Sequence, residues 1–300
     1  MKIAILGKNG QIGAALIQAL QADYKVYSFS RNNISKSNDL DLLDDFIENL
    51  SLIQPDIIIN CVAFTEVDLA EEEQDKAHKL NSYLPSILAK AANKLNSLLI
   101  HFSSDYVYPG TGETPWDEVS RTGPKSVYAS TKLAGDLSII NYANRYLIFR
   151  TSWVYSKNGK NFPNTMLEIG KNKNFLKIVS DQIGSPTSAN LIASTVKMFL
   201  FRHIKRNFNE CDYGIYNLTS SGYVSWYKFA SYIFEKSKKY DQSYKDLVLI
   251  PVTSKEYKSK AARPLNSRLD CTKISNYLDI ELDSWKTCID IFLAEISFKD

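Results

Sequence analysis

The first twenty residues constrain the fold of this chain more than any other stretch. Lys2–Leu6 is a short apolar run without helical period, which is typical of a strand buried on both faces. A helical pattern, Ala14–Leu20, follows after seven residues that include three glycines: Gly7, Lys8, Asn9, Gly10, Gln11, Ile12 and Gly13. Glycines in this turn let backbone approach a pyrophosphate, and the helix N-terminus offers N–H groups to it. With 12 glycines in 300 residues, this spacing is hard to obtain by accident and predicts a dinucleotide site.

The residues expected to hold the dinucleotide extend to the end of the second strand. The turn supplies six contacts: Gly7, Lys8, Gly10, Gln11, Ile12 and Gly13. The next strand, Lys25–Phe29, ends at Ser30 and Arg31, where an acidic residue would hold a ribose 2′-hydroxyl. A hydroxyl and a guanidinium suit a 2′-phosphate instead, which favours NADPH and leaves NADH possible. Asp39 and Leu40 are expected beside the adenine.

The remaining strands predict an α/β fold with a Rossmann-like, doubly wound parallel sheet and a smaller C-terminal substrate lobe. Strand and helix patterns alternate through a buried strand at 55–63, a helix at about 77–95 and further strands at 98–102 and 146–155. Ala63, Phe64 and Thr65 leave the third strand where a cofactor crevice forms. We expect residues 1–155 to form the nucleotide-binding domain, with a return near 177–220, and residues 156–300 to form most of the lobe.

The strand Leu98–Phe102 leads into the residues with the most chemistry. It is followed by Ser103, Ser104 and Asp105, and later by Tyr128 and Lys132 in the pattern Tyr-x-x-x-Lys. Residues four apart share a helix face. A nearby ammonium should lower the pKa of the phenol from about 10 and make it a usable acid. We therefore expect Tyr128, Lys132 and Ser104 to be catalytic, with Phe102 beside the cofactor.

A second pair, Tyr232 and Lys236, has the same spacing. It lies in an amphipathic segment that no hydroxyl-bearing strand precedes, so we interpret it as ordinary helix packing. His101 falls on a strand, which favours a satisfied core histidine over a metal ligand.

Composition excludes several classes of function. A formal net charge of +3 is too small to indicate a nucleic-acid or membrane partner. Four scattered cysteines fit a reducing compartment, and three histidines form no metal-ligand pattern. A strand that starts at Lys2 leaves no room for a secretory segment. We therefore expect a cytoplasmic protein with a small-molecule substrate.

Taken together, the motifs resemble the nucleotide-sugar reductases of the extended short-chain dehydrogenase/reductase family. The matching runs span the chain: 7–13, 103–112, 128–135, 150–155, 181–187 and 263–268. The resemblance implies that Tyr128 donates the proton, Lys132 orients the nicotinamide ribose and Ser104 binds the carbonyl, where threonine is commoner in the family. Asp105 and Trp153 would contact the sugar.

The reaction implied is NADPH-dependent reduction of the C4 ketone of a nucleotide-linked 4-keto-6-deoxy sugar. Arg263 and Arg268 are candidates for the substrate diphosphate, because guanidinium groups pair well with phosphate oxygens.

The chain departs from some members of the family at their metal site. Those members bind Mg²⁺ at a dimer contact through carboxylates that align with Ala15, Asn190 and Glu295, of which only Glu295 is acidic here. Hard divalent cations need several oxygen ligands. We predict no structural metal and leave monomer and homodimer both open.

One alternative class lacks a residue it needs, and two others stay open. Sugar-nucleotide 4,6-dehydratases have an Asp-Glu pair after the hydroxyl residue, whereas here Tyr106 follows Asp105. A reductase of another 4-keto-6-deoxy sugar fits the same motifs. A non-catalytic, dinucleotide-binding regulatory subunit is the third, against which an intact Ser104, Tyr128 and Lys132 argue.

Overall fold

The computed structural model describes residues 1–30, 41–206 and 212–297. Six parallel strands form its main sheet in the order β10-β5-β4-β3-β1-β2. The strands are β1 (Lys2–Leu6), β2 (Lys25–Phe29), β3 (Ile57–Asn60), β4 (Leu98–Ser104), β5 (Tyr146–Thr151), β6 (Val154–Tyr155), β7 (Phe175–Val179), β8 (Ile183–Gly184), β9 (Thr187–Ser188), β10 (Gly214–Asn217), β11 (Val224–Ser225) and β12 (Val248–Val252).

Helices cover both faces of this sheet. The α-helices of the described residues are Gln11–Leu20, Asp41–Ile53, Val67–Ala70, Gln74–His78, Leu84–Leu95, Val127–Tyr142, Phe162–Gly170, Ala189–Arg206, Trp226–Ser237, Ser254–Tyr257, Thr272–Leu278 and Trp285–Ser297. One face buries Ile3 and Ile5 against Leu16 and Ile192. The other buries Leu6 against helix residues such as Leu88 and Ile139. Because both faces are covered, the central strands β1, β3, β4 and β5 are buried along almost their whole length, and the predicted doubly wound α/β fold is confirmed.

The strand order places a crevice at the carboxyl end of β1. β1 pairs with β2 on one side and with β3 on the other, so the chain reverses its direction of travel across the sheet at this strand. Ligands of open α/β sheets bind outside the strand ends at such a switch point.

The helix expected at about 77–95 is present but contains a π-helical turn. Gln74–His78 and Leu84–Leu95 are α-helical, and Lys79–Tyr83 between them has the wider π turn. The turn contains Asn81, whose carbonyl oxygen would lie 2.1 Å from a Cβ added at Gly135. Glycine at this position lets the helix with Tyr128 approach the π turn closely.

The residues after β5 add a strand to the main sheet and also form small sheets of their own. Gly214–Asn217 pairs with β5 at the edge of the main sheet. Three two-stranded pairs lie outside it, β7 with β12, β8 with β11 and β6 with β9. The division at residue 155, with its return near 177–220, stays a prediction.

Candidate active site

The glycine turn after β1 has the geometry that a dinucleotide cradle requires. Gly7 has φ +89°, and a Cβ there would lie 3.0 Å from the backbone of Cys61. A Cβ at Gly13 would lie 2.2 Å from the carbonyl oxygen of Gly7. Gly10 is the N-cap residue of the helix Gln11–Leu20, and no side chain caps this helix. The first N–H groups of the helix are therefore left for a ligand. The turn therefore fits a pyrophosphate held by backbone N–H groups.

The second strand is tied to this turn. The carbonyl oxygen of Phe29 accepts hydrogen bonds from the backbone N–H groups of Gly7 (2.8 Å) and Lys8 (3.0 Å). Ser30 follows directly, in the position predicted to face the adenosine ribose. Arg31, Asp39 and Leu40, the other residues predicted there, lie outside the described residues.

A cavity of about 780 Å³ joins the glycine turn to the end of β4. Among the predicted site residues it is lined by Gly7, Gly10, Gln11, Ile12, Ala63, Thr65, Phe102, Ser104, Asp105, Tyr128, Lys132 and Trp153. Residues from the cofactor set, the catalytic set and the sugar set therefore face one space. That convergence of three separately predicted groups is the main geometric finding at this site.

The helix that carries Tyr128 and Lys132 begins at a well-capped N-terminus. Ser126 accepts a hydrogen bond from the N–H of Ala129 (3.2 Å), as an N-cap should. Glu71 accepts another from the N–H of Val127 (2.9 Å). These contacts fix where the helix starts, and so which face it turns towards the cavity.

The phenol of Tyr128 is less acidic in this structure than the sequence predicted. Burial raises its pKa to about 12, while a hydrogen bond with Ser104 acts in the opposite direction and Asp105 raises it further. The expectation that Lys132 holds this pKa below 10 is wrong for the protein alone, because burial is the dominant cause and the group that lowers the pKa is Ser104. The edge of the Tyr106 ring packs on Tyr128 at 5.5 Å between centroids.

Lys132 is 1% exposed. Its Nζ donates to the carbonyl oxygen of Phe102 at 2.6 Å and lies 3.2 Å from Nε2 of His101. Burial lowers the pKa of this amine to about 8, and the carboxylate of Asp136 partly opposes that. The amine is therefore poised to change charge in a range where an exposed lysine does not.

Ser104 connects the phenol to a buried carboxylate. Its Oγ donates to Oδ1 of Asp105 at 3.0 Å and accepts from the backbone N–H of Tyr106 at 3.2 Å. Asp105 is 2% exposed, and burial raises its pKa to about 6 although Ser267 and Ser104 lower it. No local sequence pattern predicts this pKa shift, because the shift depends on residues that the fold brings together.

Trp153 forms one wall of the cavity in an unusual backbone conformation. Its φ is +49°, which is rare for a bulky residue and marks a position that the surrounding structure holds in place. Its ring stacks on that of Trp226, with centroids 3.5 Å apart and an interplanar angle of 11°. A Cβ at Gly184 would lie 2.7 Å from the Trp153 ring, so that glycine gives the ring its space.

Other predicted residues lie outside the lining of this cavity. Phe64 is buried, and its backbone N–H and carbonyl oxygen both bond to the amide of Asn81. Arg263 donates to Asp68 at 2.6 Å, and Arg268 donates to Asn266 at 2.9 Å. The remaining residues outside the lining are Lys8, Gly13 and Ser30. The phosphate role of the two arginines stays a prediction.

Sequence reasoning missed several residues of the lining. They are Asn9, Cys61, Val62, Val67, Ser103, Tyr106, Thr151, Ser152, Val154, Gly159, Lys160 and Trp226. Lys160 belongs to none of the motifs described above, and Trp226 lies in the amphipathic segment of Tyr232 that the sequence indicated as ordinary helix packing. Thr151 ends β5 and Ser152 follows it, and a hydroxyl pair at that strand end was a usable signal.

Two of the three positions that align with the metal ligands of some family members line the same cavity. Asn190 and Glu295 line a second cavity of about 220 Å³. Across residues 1–30, 41–206 and 212–297, no three His, Cys, Asp or Glu side chains are grouped closely enough to hold a metal ion. The absence of a structural metal stays a prediction. None of the helices within those ranges is long and apolar enough to cross a membrane.

Comparison with known proteins assigns the family. A family model described as the RmlD substrate binding domain matches residues 1–298. The chain is 37% identical over 299 residues to a dTDP-4-dehydrorhamnose reductase of Escherichia coli K12, covering 99% of this chain and 98% of that relative. A Bacillus anthracis dTDP-4-dehydrorhamnose reductase solved in complex with NADP superposes with a TM-score of 0.88 at 30% identity, covering 98% and 99%. A Clostridium acetobutylicum relative of the same name gives 0.86 at 30% identity, covering 99% and 100%.

Proposed function

This chain belongs to the dTDP-4-dehydrorhamnose reductase family, and from that premise we propose how its residues perform the reaction. The protein is an NADPH-dependent oxidoreductase that reduces the C4 ketone of dTDP-4-dehydro-L-rhamnose to give dTDP-L-rhamnose. This step belongs to nucleotide-sugar biosynthesis for polysaccharides.

One observation carries the assignment of roles. Ser104, Tyr128 and Lys132 face the same cavity as the glycine turn that begins at Gly7. A hydroxyl pair that contacts the substrate oxygen must lie beside the nicotinamide, and this cavity is continuous between the two.

The residues of the chain supply the proton, the orientation and the stabilisation of charge. Bound NADPH supplies the hydride for C4. As charge grows on the ketone oxygen, the phenol of Tyr128 transfers its proton to that oxygen and the hydroxyl of Ser104 stabilises it. We propose that, once the cofactor is bound, charged Lys132 offsets part of the effect of burial on the pKa of Tyr128, because a nearby cation favours the phenolate.

Holding the cofactor falls to the turn and the neighbouring strand ends. The backbone N–H groups that follow Gly10 would bind the pyrophosphate, and Ala63 and Thr65 would line its path. Ser30 and Arg31 would favour the 2′-phosphate of NADPH.

Substrate recognition uses the wall opposite the turn. Asp105 and the stacked Trp153 would contact the sugar, and Arg263 and Arg268 would take the diphosphate. Arg263 would have to exchange its contact with Asp68 for that role. We further propose a cytoplasmic enzyme, either a monomer or a homodimer, without nucleic-acid or membrane partners.

The test is to follow the loss of NADPH absorbance with enzymatically prepared dTDP-4-dehydro-L-rhamnose and a panel of other nucleotide-linked 4-keto-6-deoxy sugars. The proposal expects rapid oxidation with the first and slower oxidation with the rest. Faster turnover of another sugar would reassign the substrate. Binding of NADPH without oxidation by any sugar would instead indicate a regulatory subunit.

A further inference from the structure

A buried chain of hydrogen bonds runs behind the active site through Asn60, His101 and Lys132. A backbone N–H group fixes the donor–acceptor direction of this chain at the Asn60 end. The N–H of Val62 donates to Oδ1 of Asn60 at 3.0 Å, so the amide oxygen occupies that side. Nδ2 of Asn60 then faces Nδ1 of His101 at 3.1 Å. An amide nitrogen donates, so Nδ1 accepts, and a neutral imidazole carries its hydrogen on Nε2.

Nε2 of His101 faces the amine of Lys132 at 3.2 Å. The same amine donates to the carbonyl oxygen of Phe102 at 2.6 Å. A neutral amine satisfies both contacts, because it donates to the carbonyl and accepts from the imidazole N–H. An ammonium has donors alone, so one of its hydrogens would meet the imidazole hydrogen.

Burial keeps the imidazole in the neutral form that this chain requires. His101 is 0% exposed, and burial followed by the charge of Lys132 holds its pKa well below the usual range. An imidazolium at this position would place two cations side by side in the core, which is costly without a counter-ion.

Other titratable groups lie on the same helix or beside it, and Asp136 acts on the amine directly. Asp136 lies one helical turn beyond Lys132 and favours its charge. Asp136 is itself paired with the buried Arg150 at 3.3 Å, which limits that influence. Tyr128 lies one turn before Lys132 on the same helix. His101 is therefore the polar side chain that opposes the charge from the strand side.

We propose that His101, oriented by Asn60, is a positioning residue that disfavours the third proton on the Lys132 amine and so sets how readily that amine changes charge. The consequence for turnover rests on the proposed function, in which charged Lys132 is the form that offsets the effect of burial on Tyr128. His101 thereby determines the pH above which reduction slows.

The first test needs no substrate. The full-length protein is labelled with nitrogen-15 histidine, and long-range proton–nitrogen correlation spectra assign the tautomer of each of its three histidines. The His101 signals are identified by their loss in His101→Gln. We expect neutral His101 with its hydrogen on Nε2 between about pH 6 and 9. A hydrogen on Nδ1, or an imidazolium, would overturn the proposal even if the reductase activity is as proposed.

The second test reverses the donor–acceptor direction of this hydrogen-bond chain. In Asn60→Asp the carboxylate accepts from Nδ1–H, so Nε2 becomes an acceptor for the ammonium of Lys132. We expect the tautomer to switch and the alkaline limb of kcat/KM to move up by about one pH unit. Asn172→Asp makes the same charge change at an exposed position and should leave both unchanged.

A switched tautomer with an unmoved alkaline limb would show that His101 is structural only. If Asn60→Asp does not fold, the tautomer of the unsubstituted protein decides the matter. Absence of turnover in the unsubstituted protein with every sugar would remove the proposed function and leave the tautomer measurement standing.

Discussion

The chain carries two Tyr-x-x-x-Lys pairs in very different surroundings. Tyr128 and Lys132 face a cavity, and the amine of Lys132 bonds to a backbone carbonyl deep in the sheet. Tyr232 and Lys236 lie on the helix Trp226–Ser237, where both bond to the carboxylate of Asp290, at 3.0 Å and 3.4 Å. The two pairs have the same spacing along a helix and differ in burial and in hydrogen-bond partners.

The difference shows in the charge of the two lysines. Burial lowers the pKa of Lys132 to about 8. The pKa of Lys236 is raised, first by its hydrogen bond with Tyr232 and then by Asp290. A lysine that changes charge near neutral pH can take part in proton chemistry, whereas a permanently charged one forms an ordinary surface ion pair. The environment decides the role, and the spacing alone does not.

Replacing the two tyrosines should give the largest contrast. Tyr128→Phe removes the proposed proton donor, so we expect kcat to fall by about 10²- to 10⁴-fold while NADPH affinity changes little. Tyr232→Phe is the matched control and should keep kcat within about twofold. Rates of NADPH oxidation and fluorescence titration of NADPH measure both quantities. Comparable losses in the two variants would remove the distinction between the pairs.

Replacing the two lysines should give the next largest effect. Lys132→Met keeps the length of the side chain and removes its charge and its hydrogen bonds. We expect kcat/KM to fall by about 10²-fold, because the acidity of Tyr128 and the hold on the ribose are both lost. Lys236→Met should leave kcat/KM unchanged. Steady-state kinetics on both variants decide this, and full activity of Lys132→Met would contradict the assigned role.

Asp105, near Tyr128, and Asp290, which bonds to Tyr232 and Lys236, differ in how far they are buried and so in how their ionisation affects stability. The pKa of Asp105 is raised in the folded state. Above about pH 6 the folded protein therefore holds a buried carboxylate charge that water solvates in the unfolded chain, and this lowers the free energy of unfolding. Asp105→Asn should therefore be more stable than the unsubstituted protein at pH 7, by a free energy of unfolding on the order of 2 kcal/mol. That advantage should shrink as the pH falls through 6 towards 4, where Asp105 is protonated.

Denaturant unfolding at several pH values measures this difference, with Asp290→Asn as the control at the half-buried pair of Tyr232 and Lys236. A stability difference that is the same at pH 4 and pH 7 would show that ionisation of Asp105 is not its cause.

The smallest expected effect concerns the hydroxyl shared by Tyr128 and Asp105. Ser104→Ala removes the hydrogen bond proposed to the substrate oxygen, so kcat/KM should fall by about tenfold. Ser225→Ala, which removes the N-cap of the helix that carries Tyr232, should alter stability and leave kcat/KM unchanged. Kinetics and thermal unfolding of both variants separate the two outcomes. A Ser104→Ala enzyme with normal kcat/KM would exclude this hydroxyl from the reaction.

Much of the fold followed from local sequence. The turn from Gly7 to Gly13 is predictable because each requirement, a positive φ or a close approach, acts within a few residues. The choice of Tyr128 over Tyr232 also followed from neighbouring residues, since a strand ending in hydroxyls precedes the first and not the second. The family resemblance carried the reaction, and the comparisons confirmed it.

The remainder depends on contacts between distant segments. Trp226 reaches the cavity by stacking on Trp153, which is 73 residues earlier in the chain, and no local pattern indicates that contact. The pKa of Tyr128 rises because the fold buries it, so the sign predicted from its spacing to Lys132 was wrong. Burial is a property of the assembled structure and cannot be read from a motif.

A crystal structure of the complex with NADP⁺ and a non-reacting nucleotide sugar tests the central claim most directly. The account predicts that the hydroxyls of Tyr128 and Ser104 both lie within hydrogen-bond distance of the oxygen at C4 of the sugar, and that C4 faces the nicotinamide ring. A complex in which the Tyr128 hydroxyl packs away from the ring, with the sugar bound elsewhere, would contradict it.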